Sequence, residues 1–216
     1  MTRQELIRKV ALKMDEISSS DDVIVSVGID DNNPLYTQID SLLNESVNEV
    51  LMKVPTYRIP QSHTNVISDS TITPLFSNHR KSATIKVPDD FLRLVSITDD
   101  EFHRPISELA VEGNDVDKRQ HNKFLIAKQS KPVAVIGRDN EDGRVIRCYS
   151  YGIDDSAAPS MLYIKMYQDT NPSTDIGLDD YMIDIVTWVC AGKVFAAQGD
   201  ITKGKTCDEN AVALMA

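Results

Sequence analysis

The feature that most constrains this chain is a broad apolar stripe at helical spacing, which begins after Asn33-Pro34 and stops at Pro55. Proline suits the first turn of a helix, and the residue before a proline disfavours helical backbone, so the two prolines bound one helix. A stripe of this width predicts that the helix buries one whole face. Its members are Leu35, Ile39, Leu42, Leu43, Val47, Val50, Leu51 and Val54.

Helices are also predicted near both ends of the sequence. A capping-box pattern at Thr2–Glu5 opens the first, which should end near Ser18–Ser20. Gly199 is a natural C-cap for a late helix, and a second capping-box pattern at Thr206–Glu209 predicts a short C-terminal helix. Apolar residues recur at helical spacing at Leu6, Val10, Met14 and Ile17 in the first helix, and at Leu178, Met182, Ile185, Val189 and Ala196 in the late one.

The middle of the chain favours strands. Arg138–Gly143 has the composition of a hairpin loop, Leu109–His121 predicts a short helix, and residues 56–82 read as irregular. The alternating valines at positions 23, 25 and 27 allow a loop or a short strand within Asp21–Asn33. The predicted strands are Ala83–Val87, Leu92–Thr98, Lys123–Ala127, Pro132–Gly137, Arg144–Tyr149 and Met161–Tyr167.

This order of elements predicts an α+β fold with a helical bundle core. Residues 1–82 and 168–216 form that core together with a C-terminal tail, and a β-rich region, residues 83–167, is inserted into it. We expect Leu43, Val47, Ile185 and Val189 to be buried where the helices pack.

Charge and composition exclude several classes of protein. The 216 residues include 23 Lys and Arg against 33 Asp and Glu, a net charge of −10, whereas gripping a phosphate backbone needs clustered basic residues. No apolar run approaches the ~20 residues of a membrane span, and the start, MTRQELIRKV, lacks a signal-peptide segment. Cys148, Cys190 and Cys207 have no zinc-site spacing. We expect synthesis in a reducing cytoplasm, and no membrane association.

One stretch, Gly199–Thr206, matches the nucleotide-binding pattern GxxxxGK[ST] letter for letter. That motif works when a strand delivers the loop and a following helix aims its free amides at phosphate. Here a predicted helix precedes the stretch and only ten residues follow Thr206. We therefore predict no nucleotide binding at Lys205 and interpret the stretch as a helix end followed by a basic linker.

The other residues of catalytic type are scattered. The histidines have no metal-binding spacing, and adjacent acidic residues on a strand point to opposite faces, so the acidic doublets read as turn and capping residues. The acidic run at 139–142 lacks the alternating ligands of a calcium loop, and no GxSxG occurs. The sequence thus indicates no catalytic, metal or cofactor site. The residues concerned are His63, His79, His103 and His121, and the pairs Asp89-Asp90, Asp99-Asp100, Asp154-Asp155 and Asp179-Asp180.

Several surface residues have a candidate role in binding proteins. We interpret Trp188 as a core or subunit-interface residue. Four basic residues in or near loops are interpreted as ordinary solvated surface, with contact to an acidic neighbouring ring as the alternative: Arg58, Arg80, Lys81 and Arg104.

Three parts of the sequence, taken in order, resemble the head-to-tail connector (adaptor or ring) proteins of tailed bacteriophages. Ile39–Pro55 is similar to a helix of that family, Val87–Ile97 with its VPDDFLRLVSI run is similar to a strand pair, and Leu178–Gln198 is similar to a late apolar helix. The resemblance covers most of the chain and brings no catalytic residue. A crAss-like podovirus is one source that it allows.

The resemblance implies a non-enzymatic virion protein at the neck of the particle. It would be one subunit of a ring, twelve-fold in this family, that lies beneath the portal, extends the DNA channel and joins head to tail. Its partners would be copies of itself, the portal protein and adjacent neck or tail proteins, and DNA would pass without sequence-specific binding. The β-rich middle departs from purely helical members, so a first or a second ring below the portal both stay open.

Two alternatives remain from the sequence. One is another neck or tail-completion protein, and the other is a nucleotide-binding enzyme built on the Gly199–Thr206 match. In the connector reading, we expect the isolated protein to be monomeric or weakly associated, with Thr56–Ser82 and the tail Asp200–Ala216 becoming ordered on a partner. The tail would dock on a neighbouring subunit through Val212, Leu214 and Met215.

Overall fold

The computed structural model describes residues 1–18, 34–75, 80–139, 143–152 and 156–215. Within these ranges the chain divides into two compact units, Met1–His63 with Met166–Ala216, and Thr64–Lys165. We call them the helical unit and the sheet unit. The helices are α1 (Arg3–Ser18), α2 (Pro34–Lys53), α3 (Asp115–Gln120), α4 (Asp180–Ala197) and α5 (Ile201–Met215), and the strands are β1 (Thr64–Ile67), β2 (Thr71–Leu75), β3 (Arg80–Lys86), β4 (Phe91–Thr98), β5 (Leu109–Val111), β6 (Val133–Asp139), β7 (Gly143–Tyr151) and β8 (Ser160–Lys165).

The helical unit contains α1, α2, α4 and α5. The capping box at the start of α1 is confirmed, because the Thr2 amide donates to Glu5 Oε2 at 2.8 Å and the Glu5 amide donates to Thr2 Oγ1 at 3.3 Å. The apolar stripe of α2 is buried along its inner face. The burial predicted for the two packing helices is also confirmed, at Leu43, Val47, Ile185 and Val189.

A buried arginine ties the first helix to the rest of this unit. Arg3 is 1% exposed, and its guanidinium donates to Asp40 Oδ1 at 2.7 Å, to Asn44 Oδ1 at 2.6 Å and to the Asp169 carbonyl at 2.8 Å. A further bond reaches the Asp40 carbonyl. Partners on α2 and on the segment before α4 therefore offset the cost of burying this charge.

The C-terminal tail is a full helix that packs on its own subunit. Gly199 ends α4 with a φ of +88°, and Asp200 then caps α5 by accepting from the Lys203 amide at 3.0 Å. A Cβ placed on Gly192 of α4 would lie 3.2 Å from the Gly204 carbonyl oxygen of α5. The predicted helix start at Thr206 is wrong. The dock of this tail on a neighbouring subunit stays a prediction, since Val212 and Leu214, two of the apolar residues expected to make it, are exposed.

The sheet unit contains two sheets. Three strands lie in the order β1-β8-β4, and five lie in the order β2-β3-β7-β6-β5, where only the β5–β6 pair is parallel among the described strands. This unit has its own apolar core, which includes Ile85, Ile97, Ile146, Met161 and Tyr163.

The VPDDF run connects the two sheets. β3 belongs to the five-stranded sheet and β4 to the three-stranded sheet, so the two strands are not paired with each other. Between them, the Phe91 amide donates to the Pro88 carbonyl at 3.1 Å, which closes a turn. Asp90 accepts from the Tyr163 hydroxyl at 2.9 Å and so fixes the turn to β8. The run is therefore a crossover from one sheet to the other.

The predicted fold class, a helical bundle core with an inserted β-rich region, is wrong. The described residues form eight strands in two sheets besides five helices, so the molecule is sheet-rich. Residues 56–82, read as irregular, contain β1, β2 and the start of β3 as well as two short 3-10 helices. The boundaries between the units thus fall at 63/64 and 165/166, and not at the 82/83 and 167/168 expected from the sequence.

Other local predictions have mixed outcomes. The expected strand at Lys123–Ala127 is absent, since residues 123–125 form a turn and Ile126 and Ala127 have no regular structure. Within Leu109–His121, the chain forms β5 before the short helix α3. The predicted β6–β7 hairpin is confirmed by the pairing of Asp139 with Gly143, with residues 140–142 outside the described ranges. The segment Asp21–Asn33 with its three valines also lies outside them.

Candidate interaction surfaces

The residues of the nucleotide-binding pattern lie in and before α5. The Gly204 amide donates to the Asp200 carbonyl at 3.0 Å, and the Thr206 hydroxyl donates to the Thr202 carbonyl at 3.2 Å. A phosphate-binding loop needs amides that point freely at the ligand, whereas a helix interior uses them in its own ladder. The absence of nucleotide binding at Lys205 stays a prediction, and this geometry supports it.

The three described histidines are divided between the two units. His63 is buried, and its Nε2 lies 2.8 Å from the Ile176 carbonyl oxygen, in the helical unit. His103 and His121 are exposed in the sheet unit, where His121 Nε2 is 3.5 Å from Asp117 Oδ1. His79 lies outside the described residues. In the part of the chain that the structure describes, no three His, Cys, Asp or Glu side chains are arranged to hold a metal ion.

The acidic doublets serve turns, caps and tyrosine contacts where they are described. Asp99 accepts from the Tyr151 hydroxyl at 3.0 Å and from the Ala158 amide at 2.8 Å. Asp179 caps α4 by accepting from the Met182 amide at 2.8 Å. In each described pair, one carboxylate therefore has a structural partner: Asp90, Asp99 and Asp179. The pair Asp154-Asp155 lies outside the described residues.

All three cysteines are buried free thiols. Burial raises the pKa of Cys148 to about 12 and those of Cys190 and Cys207 to about 11. Since the thiolate is the reactive form, these side chains act as small apolar residues near neutral pH.

A groove of about 520 Å³ runs along β5 in the sheet unit. Its walls come from the segment before β5, from the loop that leads to α3 and from the start of β6. Basic and acidic side chains both line it, among them Arg104, Glu108 and Lys131. The side chain of Asn114 is engaged as the cap of α3, where it accepts from the Asp117 amide at 2.8 Å. We find no nucleophile and base within bonding distance among the residues that line this groove.

An aromatic and arginine cluster lies on the surface of the helical unit. Arg58 stacks over the Tyr181 ring, with its Cζ 4.4 Å from the ring centroid, and it also lies 5.8 Å from the Tyr57 ring. The Tyr57 contact, the first of several causes, raises the pKa of Arg58. Tyr57 is 80% exposed, and the Tyr181 hydroxyl donates to the Leu214 carbonyl of α5. Tyrosine and arginine dominate the energetics of protein interfaces.

Other large apolar side chains of the helical unit face solvent. They lie on helices α1, α2 and α5 and at the N-terminus: Met1, Leu12, Met52, Ile201, Val212 and Leu214. Trp188 is half-buried on α4, and Lys13 lies over its ring at 4.9 Å from the centroid. Arg80 and Lys81, read as loop residues, lie on β3. The described surface of the helical unit therefore offers both apolar and basic side chains to solvent.

Comparisons with known proteins identify no relative of this chain. No protein-family model matches the chain, and a search of curated proteins returns no match. Of the helices in the described ranges, none has both the length and the apolar character required to cross a membrane.

Proposed function

We propose that the protein is a structural subunit of the head-to-tail connector of a tailed bacteriophage, in a ring beneath the portal that extends the DNA channel. The resemblance of Ile39–Pro55, Val87–Ile97 and Leu178–Gln198 to that family supports the proposal. These ranges correspond to α2, to the crossover with β4, and to α4. The proposed partners are copies of the chain, twelve in a ring, with the portal and adjacent neck or tail proteins.

The observation that supports this role most directly is the Tyr57–Arg58–Tyr181 cluster on the helical unit, a unit that also exposes several large apolar side chains. An exposed Tyr at 80% loses little conformational freedom on binding and offers a large contact area. The adjacent Arg58 is held in place by two aromatic rings, which lowers the entropic cost of using it in an interface. Both properties suit a subunit that packs side by side with its neighbours.

The test is the composition and shape of the virus particle. We expect the protein in purified virions, as a ring of density at the junction of head and tail in averaged electron micrographs. Phage that lack the protein should accumulate separate filled heads and separate tails. Intact, infectious particles without it would overturn the proposal.

Two variants sharpen this test. Tyr57→Ala removes the exposed ring and should reduce incorporation into particles, whereas Tyr36→Ala, a half-buried tyrosine of α2, serves as the matched loss of a ring elsewhere in the helical unit. An ATP titration addresses the enzyme alternative. Micromolar affinity that disappears in Lys205→Ala would favour a nucleotide-binding protein.

A further inference from the structure

A second surface lies in the sheet unit, where residues 118–131 form a stretch with five Lys and Arg and no Asp or Glu. We call this stretch the basic segment. The whole chain has a net charge of −10, whereas this segment is positively charged. Acidic residues lie just before it, at Glu112, Asp115 and Asp117. Its basic residues are Lys118, Arg119, Lys123, Lys128 and Lys131.

The basic segment exposes its charges and two large apolar side chains together. All five basic residues are exposed. Phe124 is 81% exposed and Leu125 is 59% exposed. Lys123 lies over the Phe124 ring, with Nζ 4.9 Å from the centroid. A ring with a cation at its face is a strong anchor for a partner that supplies both carboxylates and apolar surface.

The backbone that carries Phe124 is held from beneath. Ile126 is buried against Val135 and Tyr149. The buried Gln120 accepts from the Ala127 amide at 2.9 Å and donates to the Val116 carbonyl at 2.8 Å. Because the turn is anchored on both sides of its tip, little chain entropy remains to be lost on binding.

The two units of the molecule differ in net charge, and this difference indicates which surface the basic segment could bind. Residues 1–63 and 166–216 hold 18 Asp and Glu against nine Lys and Arg, while residues 64–165 hold 15 against 14. The helical unit thus carries nearly all of the net negative charge. It also exposes apolar side chains such as Leu12 and Val212 that a phenylalanine could cover.

We propose that the basic segment of one copy docks, through Phe124 and its lysines, on the acidic helical unit of a second copy. Such a contact joins two different surfaces, and contacts of that type close into rings when the rotation between copies allows it. The inference rests on the proposed function, because an assembly of copies is what requires the second copy. Nucleic acid is the less favoured ligand, since the segment is embedded in a chain whose overall charge repels phosphate.

Sedimentation velocity of the purified full-length chain tests the contact. We expect weak self-association at low salt that declines toward about 1 M salt, because screening shortens the reach of charges. Lys123→Glu with Lys128→Glu should weaken association by about tenfold or more, and Phe124→Ser should weaken it at all salt concentrations. The matched control is Arg138→Glu with Arg144→Glu, the same charge change at exposed positions of the β6–β7 hairpin.

Photo-crosslinking then identifies the partner surface. A photoreactive phenylalanine at position 124, in a mixture of ¹⁴N- and ¹⁵N-labelled protein, should form cross-links between differently labelled chains, into residues 1–63 or 166–216. The same probe at Ile72, on the opposite edge strand of the five-stranded sheet, should form few. Cross-links confined to one chain, or none above this control, would overturn the proposal.

Other outcomes of these experiments also test the proposed docking. A chain that stays monomeric at every concentration, or that associates equally well in the Lys123 and Lys128 variant, excludes this docking. Binding of a labelled DNA duplex that is lost in that variant, with self-association unchanged, assigns the segment to nucleic acid instead. If the docking is excluded but virions contain the protein in a ring, the proposed function is retained and only the docking is wrong. If the protein associates through the basic segment but is absent from virions, the docking is retained and the proposed function is wrong.

Discussion

The helical unit and the sheet unit reach their buried cores by different routes. In the helical unit, residues such as Leu43 and Ile185 are buried because their own helices carry stripes that are visible in the local sequence. In the sheet unit, Thr64 pairs with Ile164, and Ala83 pairs with Cys148, so burial depends on partners far away in the chain. Local sequence therefore identifies the helices of the first unit together with their buried faces, whereas in the second unit it identifies most strands but not how they pair.

The largest expected effects come from removing one buried side chain in each unit. Leu43→Ala in the helical unit and Ile146→Ala in the sheet unit should each cost ~2–5 kcal/mol, because both side chains are fully buried. If each unit opens as its own cooperative region, hydrogen exchange should accelerate mainly in the unit that carries the substitution. Equal acceleration throughout the described residues in both variants would show that the two units unfold together.

The same contrast explains which parts of the fold could be predicted. The bounds of α2 follow from Pro34 and Pro55, and the start of α1 follows from the capping box at Thr2, all of which act through near neighbours. β1 and β2 were not predictable in this way. They are short, and β2 is exposed at every residue except Leu75, so it lacks the alternation of a half-buried strand. Edge strands of this kind are specified by their partner.

The candidate interaction surfaces could be predicted from the sequence only in part. Arg58 was visible as an exposed cation, but its position between Tyr57 and Tyr181 depends on the packing of the segment after α2 beside α4. Phe124 fell in a predicted strand, where an aromatic residue would be expected to be buried. The run of five basic residues around it was the available signal, and it points to an exposed turn.

The second test concerns Arg3, a buried side chain that makes four hydrogen bonds within the helical unit. Arg3→Ala should cost about 2–3 kcal/mol, since hydrogen bonds made by charged groups are worth about 1.5–3 kcal/mol. The cost stays below that of breaking a fully buried pair, because Asp40 is 46% exposed and water can hydrate its carboxylate. Arg8→Ala, on the same helix, is the matched control. Urea unfolding that shows equal effects of both substitutions would contradict this role.

A smaller effect tests the packing of α5 on α4. Gly192→Val places a branched side chain where a Cβ alone would lie 3.2 Å from Cys207 Cβ and 3.2 Å from the Gly204 carbonyl oxygen. Overpacking of this type costs about 1–3 kcal/mol. Ala197→Val, at an exposed position of the same helix, introduces valine without this steric conflict. Helix propensity alone would make Gly192→Val the more favourable of the two changes, because glycine is a poor helix former and alanine the best one. Similar midpoints of thermal unfolding for the two variants would indicate that α5 does not depend on this contact.

The smallest effect concerns acid stability in the sheet unit. Glu112 accepts from the Arg138 amide at 3.1 Å and from the Arg147 guanidinium at 2.9 Å, and these two contacts, in that order, lower the pKa of Glu112. A lowered folded-state pKa stabilises the fold at pH values above the ordinary pKa of Glu, and this contribution disappears as pH falls through the lowered value. Glu112→Gln should therefore reduce the loss of stability that occurs as pH falls from above the ordinary pKa of Glu to below the lowered value, with little change at still lower pH. The effect is small because the carboxylate is solvated.

The control is Glu108→Gln, which changes an exposed acid nearby. Denaturant unfolding measured across this pH range should distinguish the two variants. Identical pH profiles for both variants would mean that the contacts of the Glu112 carboxylate with Arg138 and Arg147 contribute nothing to folding.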